Sequence, residues 1–129
     1  MAKHVLCVED NPDNLLLVKR VLEARGYVVL EAKNGSEGLS MAESQKVDLI
    51  LLDINLPDID GYEVARRLRA SAKHKLVYIP IIAITANALR GDAERALEAG
   101  CDVYMSKPIS IRELWARVEA FLPTSRIGR

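Results

Sequence analysis

Short runs of β-branched residues and leucine alternate with segments of helical spacing from one end of the chain to the other. Val5-Leu6-Cys7-Val8 is the first apolar run, and the acidic pair Glu9-Asp10 follows it at once. Between Asp13 and Arg25 the apolar residues Leu15, Val18 and Leu22 recur at helical intervals, and Gly26 ends the helix they predict. Tyr27-Val28-Val29-Leu30 reads as a second strand. Asn34-Gly35 marks a turn, and a weaker helix follows to about Gln45. Asp48-Leu49-Ile50-Leu51-Leu52-Asp53 reads as a third strand, apolar on both faces and therefore central. Leu56-Pro57-Asp58 is a loop, and Gly61 to Ala72 a third helix. The fourth strand runs from Ile79 to Thr85, with Pro80 near its start, where a missing N–H is tolerated. A further helix ends near Gly100, and Val103-Tyr104-Met105 is a short fifth strand. Ser110 and Glu113 have capping-box spacing and open a last helix. That helix carries Ile111, Leu114, Trp115, Val118, Phe121 and Leu122 on one stripe.

Strand and helix alternate throughout, which predicts an α/β fold: a five-stranded parallel sheet with helices on both faces and right-handed crossovers. In such sheets ligands bind beyond the carboxyl ends of the strands. Those ends carry the chemistry of this chain: Glu9-Asp10 after the first strand, Asp53 after the third, Thr85 at the end of the fourth and Lys107 after the fifth. Each has an ordinary explanation. Glu9, Asp10 and Asn11 can cap the first helix, Asp53 can end a strand, Thr85 can be one more strand residue, and Lys107 can be a solvated charge. Their convergence on one rim is what the ordinary explanations do not predict. Two like charges ~4 Å apart repel by about 4 kcal/mol at an effective dielectric near 20, so three carboxylates there call for a cation. Oxygen ligands without Cys or His suit Mg²⁺, with Mn²⁺ a possible substitute. Mg²⁺ keeps several waters and takes a few carboxylates plus a phosphate oxygen. Lys107 can then pair with phosphoryl oxygens, the Thr85 hydroxyl can donate to another, and the Asp53 carboxylate can accept a phosphoryl group.

A chain of 129 residues fits one domain. Residues 1–122 are read as that domain and 123–129 as a short flexible tail. Formal net charge is zero, which argues against a nucleic-acid partner, because phosphate backbones are met with surplus Lys and Arg. No apolar run approaches the roughly 20 residues of a membrane span, and Met1-Ala2-Lys3-His4 leads straight into a strand without a signal-peptide pattern. Cys7 and Cys101 read as two buried thiols of a cytoplasmic protein.

The residues on the predicted rim, with their neighbours, resemble the receiver domain of bacterial response regulators. The likeness rests on Glu9-Asp10, the strand ending in Asp53, Leu56-Pro57 with Asp60-Gly61, Ile84-Thr85-Ala86 and Lys107-Pro108, and it covers about Lys3 to Leu122. The resemblance implies a flavodoxin-like strand order 2-1-3-4-5. It implies that Asp53 is the phosphoacceptor and that Asp10 and Asp53 are direct metal ligands. Glu9 then acts through water, and the backbone carbonyl of Asn55 completes the set. It assigns Thr85 and Lys107 to the phosphoryl oxygens and makes Tyr104 an aromatic switch residue moving with Thr85. It also implies a cis peptide between Lys107 and Pro108, the one bond type where cis is cheap. Such a protein is a signalling switch rather than an enzyme acting on an outside substrate. Its phosphodonor is a histidine kinase or a histidine phosphotransfer protein, and its downstream target is a protein not named by the sequence. Single-domain chemotaxis and cell-cycle regulators are similar; the stretch Thr85-Ala86-Asn87-Ala88-Leu89 also resembles receivers of hybrid kinases.

Two rivals are weaker. An aspartate-nucleophile phosphatase of the haloacid dehalogenase class needs a second aspartate two residues on, where this chain has Asn55, and its nucleophile follows the first strand. No Gly-rich phosphate loop of the dinucleotide or P-loop pattern occurs. Asp58-Ile59-Asp60-Gly61 hints at a calcium loop but has Arg67 where the bidentate Glu belongs, so it reads as a turn before a helix. On the first helix, Leu15, Val18, Val21 and Leu22 share the side expected to face the sheet, and Leu16 falls opposite. Leu16 is therefore expected to be exposed. The ordinary reading is a stray exposed apolar residue; the resemblance implies that it docks the phosphodonor's helical bundle, framed by Ala86, Asn87 and Pro108.

Overall fold

The structure, a computed structural model, describes residues 2–86 and 91–123. The elements run β1 (His4–Val8), α1 (Pro12–Glu23), β2 (Val28–Ala32), α2 (Gly35–Ser44), β3 (Leu49–Asp53), α3 (Gly61–Arg69), α4 (His74–Tyr78), β4 (Ile81–Thr85), α5 (Asp92–Ala99), β5 (Val103–Ser106) and α6 (Ile111–Phe121). All pairings in the sheet are parallel, in the order β2-β1-β3-β4-β5, as the resemblance implies. β1 and β3 lie inside the sheet, and every residue of β3 is buried.

Alternation along the strands divides the core into two. Leu6, Val8, Ile50, Leu52, Ile81 and Ala83 pack with α2, α3, α4 and α5 residues, including Ala42, Val64, Leu68, Leu76 and Ala96. Val5, Cys7, Leu49, Leu51, Ile82, Ile84 and Met105 pack under α1 and α6, against Leu15, Val18, Leu22, Leu114 and Val118. The helix starts follow local chemistry. The Asn11 side chain accepts from Asp13 and Asn14 N–H, with Pro12 at the first helical position. Asp60 and Ser110 accept from Glu63 and Glu113 N–H in the same way.

Several boundaries differ from the sequence reading. Tyr27 precedes β2, because its N–H closes α1 on Leu22 and its hydroxyl donates to the Leu122 carbonyl at 2.6 Å. β2 instead runs on to Ala32. Ile79 and Pro80 precede β4, yet the Pro80 carbonyl still accepts from Ile50 N–H. Asp48 likewise stands before β3. α3 ends at Arg69, three residues short of the expected Ala72, and the short α4 was not foreseen. Ile111 is 56% exposed rather than on the core stripe of α6. α6 meets the sheet through Leu114, Val118 and Leu122, so Ile111 is left on the edge of a groove with Val21, Ala24, Arg25, Arg112 and Trp115. Both cysteines are free and buried; burial pushes the Cys101 thiol up to about 12. Among the described residues no helix is long and apolar enough to cross a membrane.

Candidate phosphoacceptor and metal site

Asp53 is the last residue of β3 and is 1% exposed. Its neighbour in the sheet, β1, ends at Val8, so Glu9 comes to the same rim, 2% exposed. Asp10 follows, exposed to solvent. Carboxylate oxygens of Glu9, Asp10 and Asp53 lie within 4.8 Å of one another. Lys107 reaches in from beyond β5, with Nζ 3.0 Å from Asp53 Oδ2 and 3.7 Å from Glu9 Oε1. One ammonium thus faces three carboxylates. Burial, and next the charge of Asp53, push the Glu9 carboxyl up to about 7. Burial pulls the Lys107 ammonium down, but its bond to Asp53 and the charges of Asp53 and Glu9 outweigh this and raise it above the ordinary lysine range.

Among the described residues, donors at the rim are few. Asn55 N–H donates to Asp53 Oδ1 at 2.9 Å, and Asn11 N–H to Glu9 Oε2 at 3.1 Å. Glu9 Oε1 is buried without a hydrogen-bond partner. A buried carboxylate oxygen of this kind, beside two further carboxylates, fits a hard divalent cation with oxygen ligands.

This rim unites the expected Glu9, Asp10, Asp53 and Lys107, with Asn55 bonded to Asp53 through its N–H. Thr85 closes β4 and is fully buried; its hydroxyl donates to Asp92 Oδ2 at 3.0 Å. Tyr104 on β5 is 38% exposed. Leu16 is 47% exposed on α1 while Leu15, Val18 and Leu22 are buried, as the helical wheel requires, and Val21 sits half-buried at the core's edge. Ala86 and Pro108 are exposed, and the Lys107–Pro108 peptide is cis. Asn87 lies outside the described residues.

The chain matches the response regulator receiver domain model over residues 5–119. It belongs to that family. A curated relative, the polar-differentiation response regulator DivK of Brucella anthropi, is 42% identical over 122 residues, which cover 95% of this chain and 98% of that protein. Among solved structures, the receiver domain of the sensor histidine kinase PA1611 from Pseudomonas aeruginosa has a TM-score of 0.86 and 38% identity. The match covers 96% of this receiver and all of that chain, and that crystal structure holds a magnesium ion in its active-site cleft. A putative response regulator from Chloroflexus aurantiacus has a TM-score of 0.89 at 30% identity, covering 96% and 100% of the two chains. This receiver is thus a two-component signalling domain with a candidate divalent-metal site in its acidic rim.

Two further residues position the site: Gly61, which the sequence marks only as a motif residue and helix start, and Asp92. A Cβ at Gly61 would stand 2.6 Å from Ile54 Cα and 2.7 Å from the Asp53 carbonyl oxygen, so only glycine lets α3 start directly against the acceptor loop. Its N–H donates to the Ile54 carbonyl at 2.9 Å. Asp92, the partner of Thr85, sits in a helical segment that the sequence reading left without chemistry. Its position just after Gly91, at a helix start, was the available signal.

Proposed function

We propose that this receiver takes a phosphoryl group from a phosphohistidine onto Asp53 and signals through altered protein contacts. The observation that carries the proposal is the Asp53 carboxylate, buried at the end of the central strand between two carboxylates and the Lys107 ammonium. In the transfer the P–N bond of phosphohistidine breaks and a P–O bond to Asp53 forms. Asp10, Asp53 and the backbone carbonyl of Asn55 would hold Mg²⁺, with Glu9 acting through water; Mn²⁺ has similar ligand preferences. The ion, when bound, neutralises charge on the transferred group. Lys107 exchanges its bond with Asp53 Oδ2 for a phosphoryl oxygen, and the Thr85 hydroxyl donates to another. Tyr104 then moves with Thr85 as the switch residue.

The donor is a histidine kinase or a histidine phosphotransfer protein that docks over Leu16, Ala86, Asn87 and Pro108. The output partner is a protein in the cytoplasm, and the chain turns over no outside substrate. The receiver spans residues 1–122; of the tail expected over 123–129, residues 124–129 lie outside the described residues. A second reading, the receiver segment of a hybrid histidine kinase, is favoured by the likeness to the Pseudomonas sensor-kinase receiver.

The test is incubation with Mg²⁺ and acetyl phosphate, followed by intact mass. Wild type gains one phosphoryl group and Asp53→Asn gains none; undiminished labelling of the variant at another residue overturns the assignment. Transfer profiling against kinases and phosphotransfer proteins identifies the donor.

A further inference from the structure

The hydroxyl assigned to the phosphoryl group is already engaged. Thr85 Oγ1 donates to Asp92 Oδ2 at 3.0 Å, joining the last residue of β4 to the first residue of α5. A hydroxyl carries one proton, so it can donate to Asp92 or to a phosphoryl oxygen, not to both.

The start of α5 makes this bond consequential. Side-chain caps close the N-termini of α1, α2, α3 and α6, through Asn11, Asn34, Asp60 and Ser110. α5 begins instead on Gly91, in the left-handed region at φ 82°, with no side-chain cap bond. Its first turn is tied to the sheet by Asp92. Around Asp92 stand two further groups. Tyr62 of α3 places its hydroxyl 3.5 Å from the Asp92 carbonyl oxygen, and Arg95 lays its guanidinium 4.3 Å from the centre of the Tyr62 ring. Arg95 Nη1 is also 3.9 Å from Asp92 Oδ1, just beyond hydrogen-bond range.

We infer that Asp92 is a latch: by holding the Thr85 hydroxyl it keeps the unphosphorylated receiver in its resting state, and phosphorylation releases the start of α5 by taking that proton's bond away. This rests on the reading of Asp53 as phosphoacceptor and names the restraint it must overcome. Asp92 touches no reacting atom; it is a positioning residue. Once Thr85 turns to the phosphoryl group, Asp92 is left with Arg95 as the nearest cation among the described residues, which draws Arg95 from Tyr62 and carries the change to α3. The latch acts as differential stabilisation of one of two states, so its removal shifts their populations before any phosphate arrives.

The experiment uses the whole chain, with Mg²⁺ and beryllofluoride as the phosphoryl mimic, and follows backbone NMR shifts of Ala93 to Leu97. Wild type defines a line from the free to the beryllofluoride-bound shifts. Free Asp92→Ala should move along that line, with about a tenfold larger activated population, the size expected for losing a charge-assisted hydrogen bond. Asp92→Asn, whose amide oxygen still accepts from Thr85, should stay at the wild-type position. In a Thr85→Ala background, Asp92→Ala should add no further movement along the line. The latch is overturned if Asp92→Ala does not move, if Asp92→Asn moves as far, or if the shift survives without the Thr85 hydroxyl. A wild-type measurement stands beside these should the alanine variant fail to fold. Nuclear Overhauser contacts between Arg95 and the Tyr62 ring should disappear on adding beryllofluoride, and their persistence also overturns it. If wild type does not bind beryllofluoride at Asp53, the phosphoacceptor reading fails and the latch falls with it; if wild type responds and the Asp92 variants behave alike, only the latch falls.

Discussion

The two ends of the sheet use the same residue types to opposite effect. At the amino ends, Asp48 precedes β3 and accepts from the N–H of His4, the first residue of the neighbouring β1, at 2.8 Å. Asp102 precedes β5 and repeats the arrangement on Ile81, the first residue of β4, also at 2.8 Å. Each has a cation as well: Lys46 beside Asp48, and Arg69 at 2.9 Å from Asp102. Arg69 also donates to the carbonyls of Gly100, Leu76, Val77 and Ile79, binding the ends of α3, α4 and α5 together. At the carboxyl ends, Glu9, Asp10 and Asp53 crowd together around one Lys107, and a buried oxygen of Glu9 has no hydrogen-bond partner. A satisfied carboxylate strengthens a fold, whereas an under-satisfied one is held there by the rest of the fold and is open to a ligand. The lower rim therefore reads as architecture and the upper rim as chemistry.

Breaking the lower rim should have the largest effect on stability. Arg69→Ala strands four carbonyls and Asp102, and is expected to cost about 3 kcal/mol or more, measured by urea unfolding. A loss under about 1 kcal/mol would mean that water replaces the guanidinium and that the lower rim is not the fold's fastening.

The pH dependence should have opposite signs at the two ends. Burial works to raise Asp48, but the His4 N–H and the Lys46 charge outweigh it, so its folded carboxyl titrates below the ordinary value. Its stabilisation is present above the unfolded value near 3.8 and is lost as pH falls through the lower folded value. Glu9 is raised from 4.5 to about 7, so in the metal-free protein the folded state binds more protons than the unfolded state between these values. Its contribution is present below about 4.5 and lost as pH rises through about 7. Chelator-treated wild type should therefore lose on the order of 1–3 kcal/mol across that window, and Glu9→Gln should flatten the slope. An unchanged slope in Glu9→Gln would remove Glu9 as its source.

Relieving the upper rim should stabilise while it disables. Asp10→Asn should raise the stability of the metal-free protein by about 1 kcal/mol and weaken Mg²⁺ binding at least about tenfold, read by calorimetry and thermal melts. A variant that is less stable without metal and binds the ion as well as before would make Asp10 a cap rather than a ligand.

The smallest effect on the fold should come from Leu16→Glu, within about 0.5 kcal/mol of wild type because the side chain is half in water. Labelling by acetyl phosphate should persist while transfer from the cognate phosphohistidine slows sharply. Unaltered transfer would place the donor's docking surface elsewhere.

Much of this receiver was legible along the chain because its signals are local. Strand and helix identity came from periodicity, and the site residues came from a rule about strand ends that needs only their order in sequence. Exposure of Leu16 followed from the helical wheel for the same reason. Less legible were the features that depend on how separate elements pack. Tyr27 leaves β2 because its hydroxyl finds Leu122, 95 residues away. Ile111 leaves the core because α6 presents Leu114, Val118 and Leu122 to the sheet. Gly61 is needed because α3 starts against Ile54. Nothing along the chain marks Arg69, and the fold brings five acceptors to it. By itself, then, the sequence determined the order of the elements, the apolar faces and which residue types stand at each strand end, because these depend on near neighbours and repeat length. Only the tertiary structure decided which polar groups are satisfied. Hydrogen bonds and ion pairs act within about 4 Å, and whether Glu9 is left short of donors, or Thr85 given to Asp92, depends on how separate elements pack in three dimensions.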